Sequence, residues 1–280
     1  MASKLWNWGL AFGLGALAPV VFFVDLGDLR TSCLVGASFL GISAIVLSRR
    51  GAPALTLLGL CGPSFVIILT FTLQKIYAFL PILILWPAIA FACFYVRPAR
   101  AYICAVAAAI VAMTVYTIAA FPLILNHDFE VKFGGPTPEL ALTDLQGREF
   151  DWKLRQQDRV VVLDFFGTWC TACIQELPHL EQIKRELQGH QEIEWVLVVT
   201  GAYGDTRDSL REYFEQHPTT LRVAFDPTEG ALKKKFDTVG FPTLVVIDKA
   251  NSVRYLHRGY NAADTMFRQH LVSALTSPYQ

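Results

Sequence analysis

Acidic side chains are almost missing from the first 125 residues, where only Asp25 and Asp28 occur. The whole chain of 280 residues has a formal net charge of zero, and it contains neither a basic arm nor a glycine-rich phosphate loop. These absences argue against nucleic acid as a partner. Residues 126–280 have the mixed composition of a globular protein. The sequence therefore predicts one part that faces lipid and one part that faces water.

Cysteine is scarce in the second part, which contains only Cys170 and Cys173. No disulfide framework can form there beyond this pair, and a zinc site would need a second pair of cysteine or histidine ligands. His179 follows on the same predicted helix but has no partner at ligand spacing, and c-type haem attachment would need a histidine where Ile174 stands. We therefore expect neither a metal ion nor a cofactor.

Five long apolar runs fill the first part. They are Leu5–Val24, Thr31–Ser48, Ala52–Leu73, Ile76–Val96 and Ala101–Leu125. Each has 18 to 25 residues, and a helix needs roughly 20 to cross the hydrocarbon core of a bilayer. The polar breaks between the runs are short, which predicts antiparallel hairpins. We therefore expect a multi-pass α-helical membrane domain of five helices at residues 1–125, embedded in a lipid bilayer.

The basic residues of these breaks alternate between the two sides of the expected membrane domain. The richer side carries Lys4, Arg49, Arg50, Arg97 and Arg100. The other side carries Arg30 and Lys75 together with both aspartates. Because the richer side is expected to be cytoplasmic, the N-terminus lies inside and everything after residue 125 lies outside the bacterial cytoplasmic (inner) membrane, in the periplasm.

Two alternatives to this topology stay open. Ala16-Leu17-Ala18 has the small-x-small form of a signal-peptide cleavage site, although Pro19 follows directly and the apolar run continues to Val24. An even number of crossings would place the second part in the cytosol, and it would require one of the five runs not to span. Residues 126–135 are a polar, glycine-containing segment that predicts a linker, which leaves residues 136–280 as the second domain.

The second domain alternates strand and helix patterns. Strands are predicted at Val160–Phe166, Ile193–Thr200, Leu221–Phe225, Thr243–Asp248 and Ser252–His257, with a short strand pair within Pro138–Phe150. Helices are predicted from Ile174 to Leu187 and at Thr206–His217, Glu229–Phe236 and Asn261–Leu275, with Thr206 as an N-cap. This alternation predicts an α/β fold whose sheet is covered on both faces.

The segment Trp169-Cys170-Thr171-Ala172-Cys173 joins the first predicted strand to a helix. Unpaired backbone N–H groups at a helix N-terminus stabilise a thiolate. The two-residue spacing places both sulfurs on one turn, within reach of a disulfide. Cys170, at the helix start, is therefore the predicted nucleophile, and Cys173, one turn further in, is the predicted resolving thiol.

These motifs resemble the thioredoxin fold. The strand, the Trp-Cys-x-x-Cys segment and the helix are followed by Val239-Gly240-Phe241-Pro242-Thr243 at the head of an apolar strand. The opening Pro138–Gly147 and the insert Thr206–Phe225 are similar to the membrane-anchored TlpA/ResA branch of thiol–disulfide oxidoreductases. The resemblance covers residues 136–276 and does not extend to the five membrane segments.

The resemblance implies roles for residues around the two thiols. Asp164, six residues before Cys170, would be a buried acid, and its position in an apolar strand predicts a raised pKa and a proton relay for Cys173. Pro242 would be a cis-proline facing the thiols. The substrate groove would include Trp169, Phe241 and Thr243.

Two further features of the thiol-bearing helix concern its chemistry. Pro178 should kink the helix, and Glu176 either tunes local acidity or lies on a solvated face. Thr171-Ala172, between the cysteines, includes no histidine to stabilise the Cys170 thiolate strongly, which favours a reducing couple.

Four cysteines lie in the apolar segments: Cys33, Cys61, Cys93 and Cys104. One hypothesis is an electron relay across the bilayer that delivers reducing equivalents to the second domain. The alternative is that each is an ordinary small apolar residue.

The sequence as a whole predicts a membrane-anchored thiol–disulfide oxidoreductase that reduces extracytoplasmic protein disulfides. Its expected partners are protein thiols and disulfides, such as apocytochromes or metal-site cysteines awaiting assembly, and a membrane or thioredoxin-type electron donor. The alternative is a membrane transport or sensor protein in which the thioredoxin-like domain regulates or docks.

Overall fold

The structure is a computed structural model, which describes residues 2–24, 28–73, 76–95, 100–130, 136–150, 159–228, 235–236 and 240–277. The chain divides into two compact units. The first comprises Met1–Asp128 with Ala262–Thr265, and the second comprises Phe129–Asn261 with Met266–Gln280.

All five apolar runs of the N-terminal unit are helical. The helices are α1 (Ala2–Val24), α2 (Leu29–Arg49), α3 (Thr56–Leu73), α4 (Ile82–Phe94), α5 (Arg100–Val115) and α6 (Phe121–Phe129). A 3-10 turn at Tyr77–Phe79 precedes α4, and a π-helical turn at Tyr116–Ala120 joins α5 to α6. Helix α6 continues to Phe129, so residues 126–129 of the predicted linker are helical, and residues 131–135 lie outside the described part.

Within the part of this unit that the structure describes, three helical segments are long and apolar enough to cross a membrane: Leu29–Arg49, Tyr77–Phe94 and Ala107–Phe129. Thr56–Thr70 is apolar but shorter. Small residues allow neighbouring helices to pack closely. A Cβ added at Gly36 of α2 would lie 2.5 Å from the buried Trp86 ring of α4, and one added at Gly15 of α1 would lie 2.5 Å from the Gly59 carbonyl oxygen of α3.

The C-terminal unit is built on one five-stranded sheet. Its strands are β1 (Val160–Phe166), β2 (Ile193–Thr200), β3 (Arg222–Asp226), β4 (Thr243–Ile247) and β5 (Val253–Arg258), in the order β3-β2-β1-β4-β5. The pairs β1–β2 and β2–β3 are parallel, whereas β1–β4 and β4–β5 are antiparallel. The helices among the described residues of this unit are α7 (Thr171–Glu186), α8 (Arg207–Gln216) and α9 (Phe267–Thr276).

The central strand β1 is buried along its whole length, so both of its faces contribute to the core. Alternate residues of a strand point to opposite faces. Val162 and Phe166 join one apolar cluster, which includes Leu180 and Ile183 of α7. Residues of the other parity join a second cluster, which includes Leu140, Leu142, Phe150 and Phe236. The sheet is therefore covered on both faces, as the sequence predicts.

Most predicted elements of this unit are confirmed within three residues at each end, and three elements are not. Thr206 caps α8 in a capping box with Ser209, as expected of an N-cap. The segment Pro138–Phe150 forms only isolated bridges, of Thr143 to Glu149 and to Phe225, instead of a strand pair. The closing helix begins at Phe267 rather than Asn261. The predicted helix Glu229–Phe236 lies mostly outside the described residues.

Candidate active site

The two cysteines lie where β1 passes into α7. The strand ends at Phe166, and Cys170 is the N-cap residue of α7. The cysteines form a disulfide with a Cα–Cα distance of 5.2 Å. Cys173 is completely buried, whereas Cys170 retains 7% of its surface. Of the two sulfur-bearing residues, Cys170 is therefore the one that a substrate can approach.

The Sγ of Cys170 accepts a hydrogen bond from the backbone N–H of Cys173 at 3.2 Å. This N–H belongs to the first turn of α7, where backbone donors have no carbonyl partner within the helix. The same donor and the positive end of the helix dipole would stabilise a Cys170 thiolate after the disulfide is reduced. The geometry thus supports Cys170 as the nucleophile that the sequence predicts.

Two carboxyl groups are buried where the cysteine-bearing helix α7 packs on β1. Asp164 of β1 has the same strand parity as Val162 and Phe166, which places it on the face that α7 covers. Glu176 of α7 lies on the buried side of that helix, and both residues have zero exposure. None of their four carboxyl oxygens has a hydrogen-bond partner among the described residues.

Burial raises the pKa of both acids. Loss of hydration raises the pKa of Asp164 from 3.8 to about 8. The pKa of Glu176 is also well above its ordinary value, first because of burial and further because of the neighbouring Asp164 charge. The raised pKa expected for Asp164 is confirmed, and the solvated face considered for Glu176 is wrong.

The burial of Glu176 could have been predicted from the sequence. Cys173, Glu176, Leu180 and Ile183 are the buried residues of α7, and their spacing forms one stripe of the helix. A carboxyl group within an apolar stripe is a signal for a buried acid. Pro178 lies within α7, which is continuous from Thr171 to Glu186, so the kink expected there stays a prediction.

The peptide bond between Phe241 and Pro242 is cis, as the resemblance implied. The Phe241 ring lies 5.3 Å from the Trp169 ring in an edge-to-face arrangement. Because Trp169 directly precedes Cys170, both aromatic residues of the predicted groove are beside the disulfide. Thr243 differs from them, because it is completely buried and its hydroxyl donates to the Gly240 carbonyl oxygen at 2.9 Å. Its side chain therefore does not line the surface.

The loop that carries Cys170 is fixed by a residue from a different loop. The Thr168 hydroxyl donates to Oδ1 of Asp205 at 2.6 Å, and the Thr168 backbone N–H donates to Oδ2 at 3.2 Å. Asp205 follows a short 3-10 turn, Ala202–Gly204, after β2. Within that turn, the Tyr203 ring lies 4.6 Å from the Trp169 ring. Sequence reasoning missed Tyr203 and Asp205, because residues in turns carry no periodic signal.

The cysteines of the N-terminal unit are separate from this site in the chain. Cys33 and Cys93 are buried free thiols and Cys61 is a partly buried one, while the Cys104 side chain lies outside the described residues. Cys93 lines an apolar cavity of about 360 Å³ together with residues of α2 and α5. The electron relay therefore stays a hypothesis.

Residues 132–270 match the sequence model of the family described as Redoxin. The ResA thiol-disulfide oxidoreductase of Bacillus cereus is 26% identical over 128 residues, which are 46% of this chain and 70% of the relative. The ResA protein of Geobacillus thermodenitrificans is 27% identical over 146 residues, which are 51% of this chain and 78% of that protein. A thiol:disulfide interchange protein of the thioredoxin family from Chlorobium tepidum has a solved structure with 20% identity and a TM-score of 0.41; it covers 52% of this chain and 99% of that one. The thioredoxin-like α/β fold and the resemblance to ResA, both expected from the motifs, are confirmed.

Proposed function

Because residues 132–270 of this chain are a redoxin domain related to the ResA thiol-disulfide oxidoreductases, we propose that it is a membrane-anchored enzyme that reduces protein disulfides. The observation that carries this proposal is the Cys170–Cys173 disulfide at the N-terminus of α7, a helix that also carries the buried Glu176 and packs on the face of β1 that carries the buried Asp164. A purely structural disulfide would not need either the helix N-terminus or the acids.

The reaction begins with the reduced pair. The Cys170 thiolate attacks one sulfur of a substrate disulfide, a new S–S bond forms, and the substrate's other sulfur leaves as a thiolate and takes a proton from water. Cys173 then loses its proton and attacks the Sγ of Cys170, which releases the second substrate thiol and restores the internal disulfide. Two electrons pass to the substrate, so a dithiol donor must reduce Cys170–Cys173 before the next turnover.

The buried acids serve the second step in this scheme. Cys173 is completely buried, so its proton has no direct route to solvent. A carboxyl group with a pKa near the working pH is available in both protonation states, and it can therefore accept this proton and return it in the reverse direction. Asp164, with a pKa raised to about 8, has this property, and the charge interaction between Asp164 and Glu176 supports a shared task.

Turnover by the full-length protein in detergent tests the catalytic proposal. Reduction of a peptide disulfide should be lost in Cys170→Ser, and Cys173→Ala should accumulate a mixed disulfide that mass spectrometry identifies. Cys61→Ala, at a free thiol of α3, is the matched control and should retain turnover. If Cys170→Ser turns over normally, the site is misassigned and the alternative of a regulatory or docking domain gains support.

We further propose five crossings, with the N-terminus inside and the redoxin domain on the periplasmic side. Three long apolar helical segments and the alternation of basic residues support this topology. Alkaline phosphatase fused after residue 280 should be active in cells, whereas a fluorescent reporter that folds only in the cytosol should stay dark. The opposite pair of results would place the domain in the cytosol.

The reducing direction rests on Thr171-Ala172, which offers no histidine to stabilise the Cys170 thiolate. Redox equilibration of the protein with glutathione buffers should give a potential in the reducing range, near that of thioredoxin at about −270 mV. A potential close to about −120 mV, that of a strong periplasmic oxidant, would reverse the assignment.

The electron relay through the membrane cysteines has a separate test. Substitution of all four of these cysteines by alanine should leave Cys170 oxidised in cells only if the four cysteines relay electrons.

A further inference from the structure

Large exposed apolar side chains are rare in the C-terminal unit. Among its described residues they are Trp169, Ile174 and Tyr203, with exposures of 44%, 44% and 77%. Trp169 precedes Cys170, and the Ile174 backbone N–H donates to the Cys170 carbonyl oxygen at 3.0 Å. Because the Tyr203 ring contacts the Trp169 ring, all three residues lie in the neighbourhood of the more accessible cysteine. Apolar side chains that gather in one place on an otherwise polar surface mark a binding site.

Tyr203 is the most exposed of the three, and it comes from a different part of the chain. Its backbone has φ 67° and ψ 23°, in the left-handed region that side chains with a Cβ rarely adopt. Glycine would occupy this conformation without steric cost, and Gly204 follows with φ 97°. The exposed ring gains little from burial in return. The fold alone thus gives no reason for a tyrosine here, and a retained unfavourable conformation points to function.

The Tyr203 ring is nevertheless held in a defined place. Its centroid lies 4.6 Å from that of Trp169, with an angle of 57° between the rings. The two hydrogen bonds from Thr168 to Asp205 join the loop of Tyr203 to the loop of Cys170. The aromatic pair is therefore positioned before a substrate arrives, which lowers the entropy cost of docking.

We propose that Tyr203 is a specificity-determining residue that, with Trp169, docks an apolar side chain next to the cysteine of an extended polypeptide substrate. This inference rests on the proposed disulfide reduction at Cys170. The partner is a polypeptide rather than a small thiol such as glutathione, because aromatic rings recognise apolar and aromatic side chains and offer no charge to pair with the carboxylates of glutathione. The position of the ring beside Trp169 extends the contact beyond the disulfide itself.

The test compares two substrates of the reduced full-length protein in detergent. One is a disulfide peptide with phenylalanine on each side of its cysteines, and the other is oxidised glutathione. The ratio of kcat/KM for the peptide to kcat/KM for glutathione should fall about fivefold to tenfold in Tyr203→Gly, through KM. Tyr203→Phe should restore the wild-type ratio, since the ring is kept.

Asn251→Gly is the matched control. Asn251 also has a left-handed backbone, with φ 60°, but it lies in the β4–β5 turn at the end of the sheet away from Cys170. This variant relieves an unfavourable left-handed backbone conformation, as Tyr203→Gly does. It should leave the ratio of kcat/KM for the two substrates unchanged. Tyr203→Gly should also resist urea at least as well as the wild type, so a lower ratio cannot come from unfolding.

Each outcome decides the inference. An unchanged ratio in Tyr203→Gly would overturn it, and so would an equal fall for both substrates, because that result would mean altered reactivity of Cys170. If the wild-type protein reduces neither substrate, the proposed function fails first, and the glutathione measurement shows this independently of Tyr203.

Discussion

Replacement of Asp164 by asparagine should make the C-terminal unit more stable at neutral pH. Asp164 is completely buried in β1, and burial raises its pKa from 3.8 to about 8. Between these two values the folded protein holds a proton that the unfolded chain releases. The free energy of unfolding therefore falls as the pH rises from about 4 to about 8, and this contribution of Asp164 is greatest below pH 4.

The size of the effect follows from the shift. Each pH unit in this window changes the free energy of unfolding by about 1.4 kcal/mol, so about three units between 3.8 and pH 7 correspond to about 4 kcal/mol. Asparagine has nearly the same shape as a protonated aspartate and does not titrate. We expect Asp164→Asn to exceed the wild type by about 2–4 kcal/mol at pH 7 and to match it near pH 4.

The assay is urea unfolding of the oxidised full-length protein in detergent, followed by a brief pulse of protease that cleaves the unfolded C-terminal unit. Asp208→Asn is the matched control, because the Asp208 side chain is exposed on α8 and its ion pair with Arg211 contributes little. A gain in Asp164→Asn that is equal at pH 4 and pH 7, or no gain at either, would refute the argument from burial.

Two further substitutions have defined outcomes. Asp205→Ala removes both hydrogen-bond acceptors of Thr168. It should lower the free energy of unfolding by about 1–3 kcal/mol in the same urea assay and reduce turnover of the peptide disulfide. Unchanged values in both assays would contradict the role of this contact. Gly36→Ala should force α2 away from the Trp86 ring and lower the free energy of unfolding by about 1–3 kcal/mol. This loss should appear as a lower thermal midpoint of the full-length protein in detergent. An unchanged midpoint would mean that the two helices adjust freely.

The sequence predicts the frame of the C-terminal unit well because its signals are local. The apolar run of β1 and the spacing of Leu180 and Ile183 define a strand and a helix without tertiary information. The first residue of the closing helix was harder to predict from the sequence. Ala262 and Ala263 fit a helical pattern, yet the chain forms turns there and becomes helical only at Phe267. Local periodicity cannot separate a helix from turns rich in helix-forming residues.

The surface of the site was the least predictable part. Trp169 could be assigned because it adjoins Cys170 in sequence, whereas the Tyr203 ring reaches Trp169 from the loop after β2. Only the parallel pairing of β1 with β2 brings these two loops to the same end of the sheet. No spacing rule within one sequence connects residues that meet through a strand crossover.

The buried carboxyl groups of the C-terminal unit differ in their hydrogen bonding, and this difference distinguishes Asp164 and Glu176 from acids with a structural role. Asp205 and Asp226 are also buried, and each accepts hydrogen bonds, from Thr168 and from the backbone N–H of Thr228 respectively. Such donors offset the loss of hydration and are the usual way in which a fold retains a buried acid. Asp164 and Glu176 have no such donor among the described residues.

A donor that stabilised either carboxylate would also hold its pKa down and make it a weak proton acceptor at neutral pH. The same absence that costs stability therefore keeps Asp164, whose pKa is raised to about 8, able to exchange protons near the pH at which thiols ionise. Because Glu176 shares the buried stripe of α7 with Cys173, and Asp164 lies on the face of β1 that α7 covers, proton transfer explains the arrangement better than a packing role does.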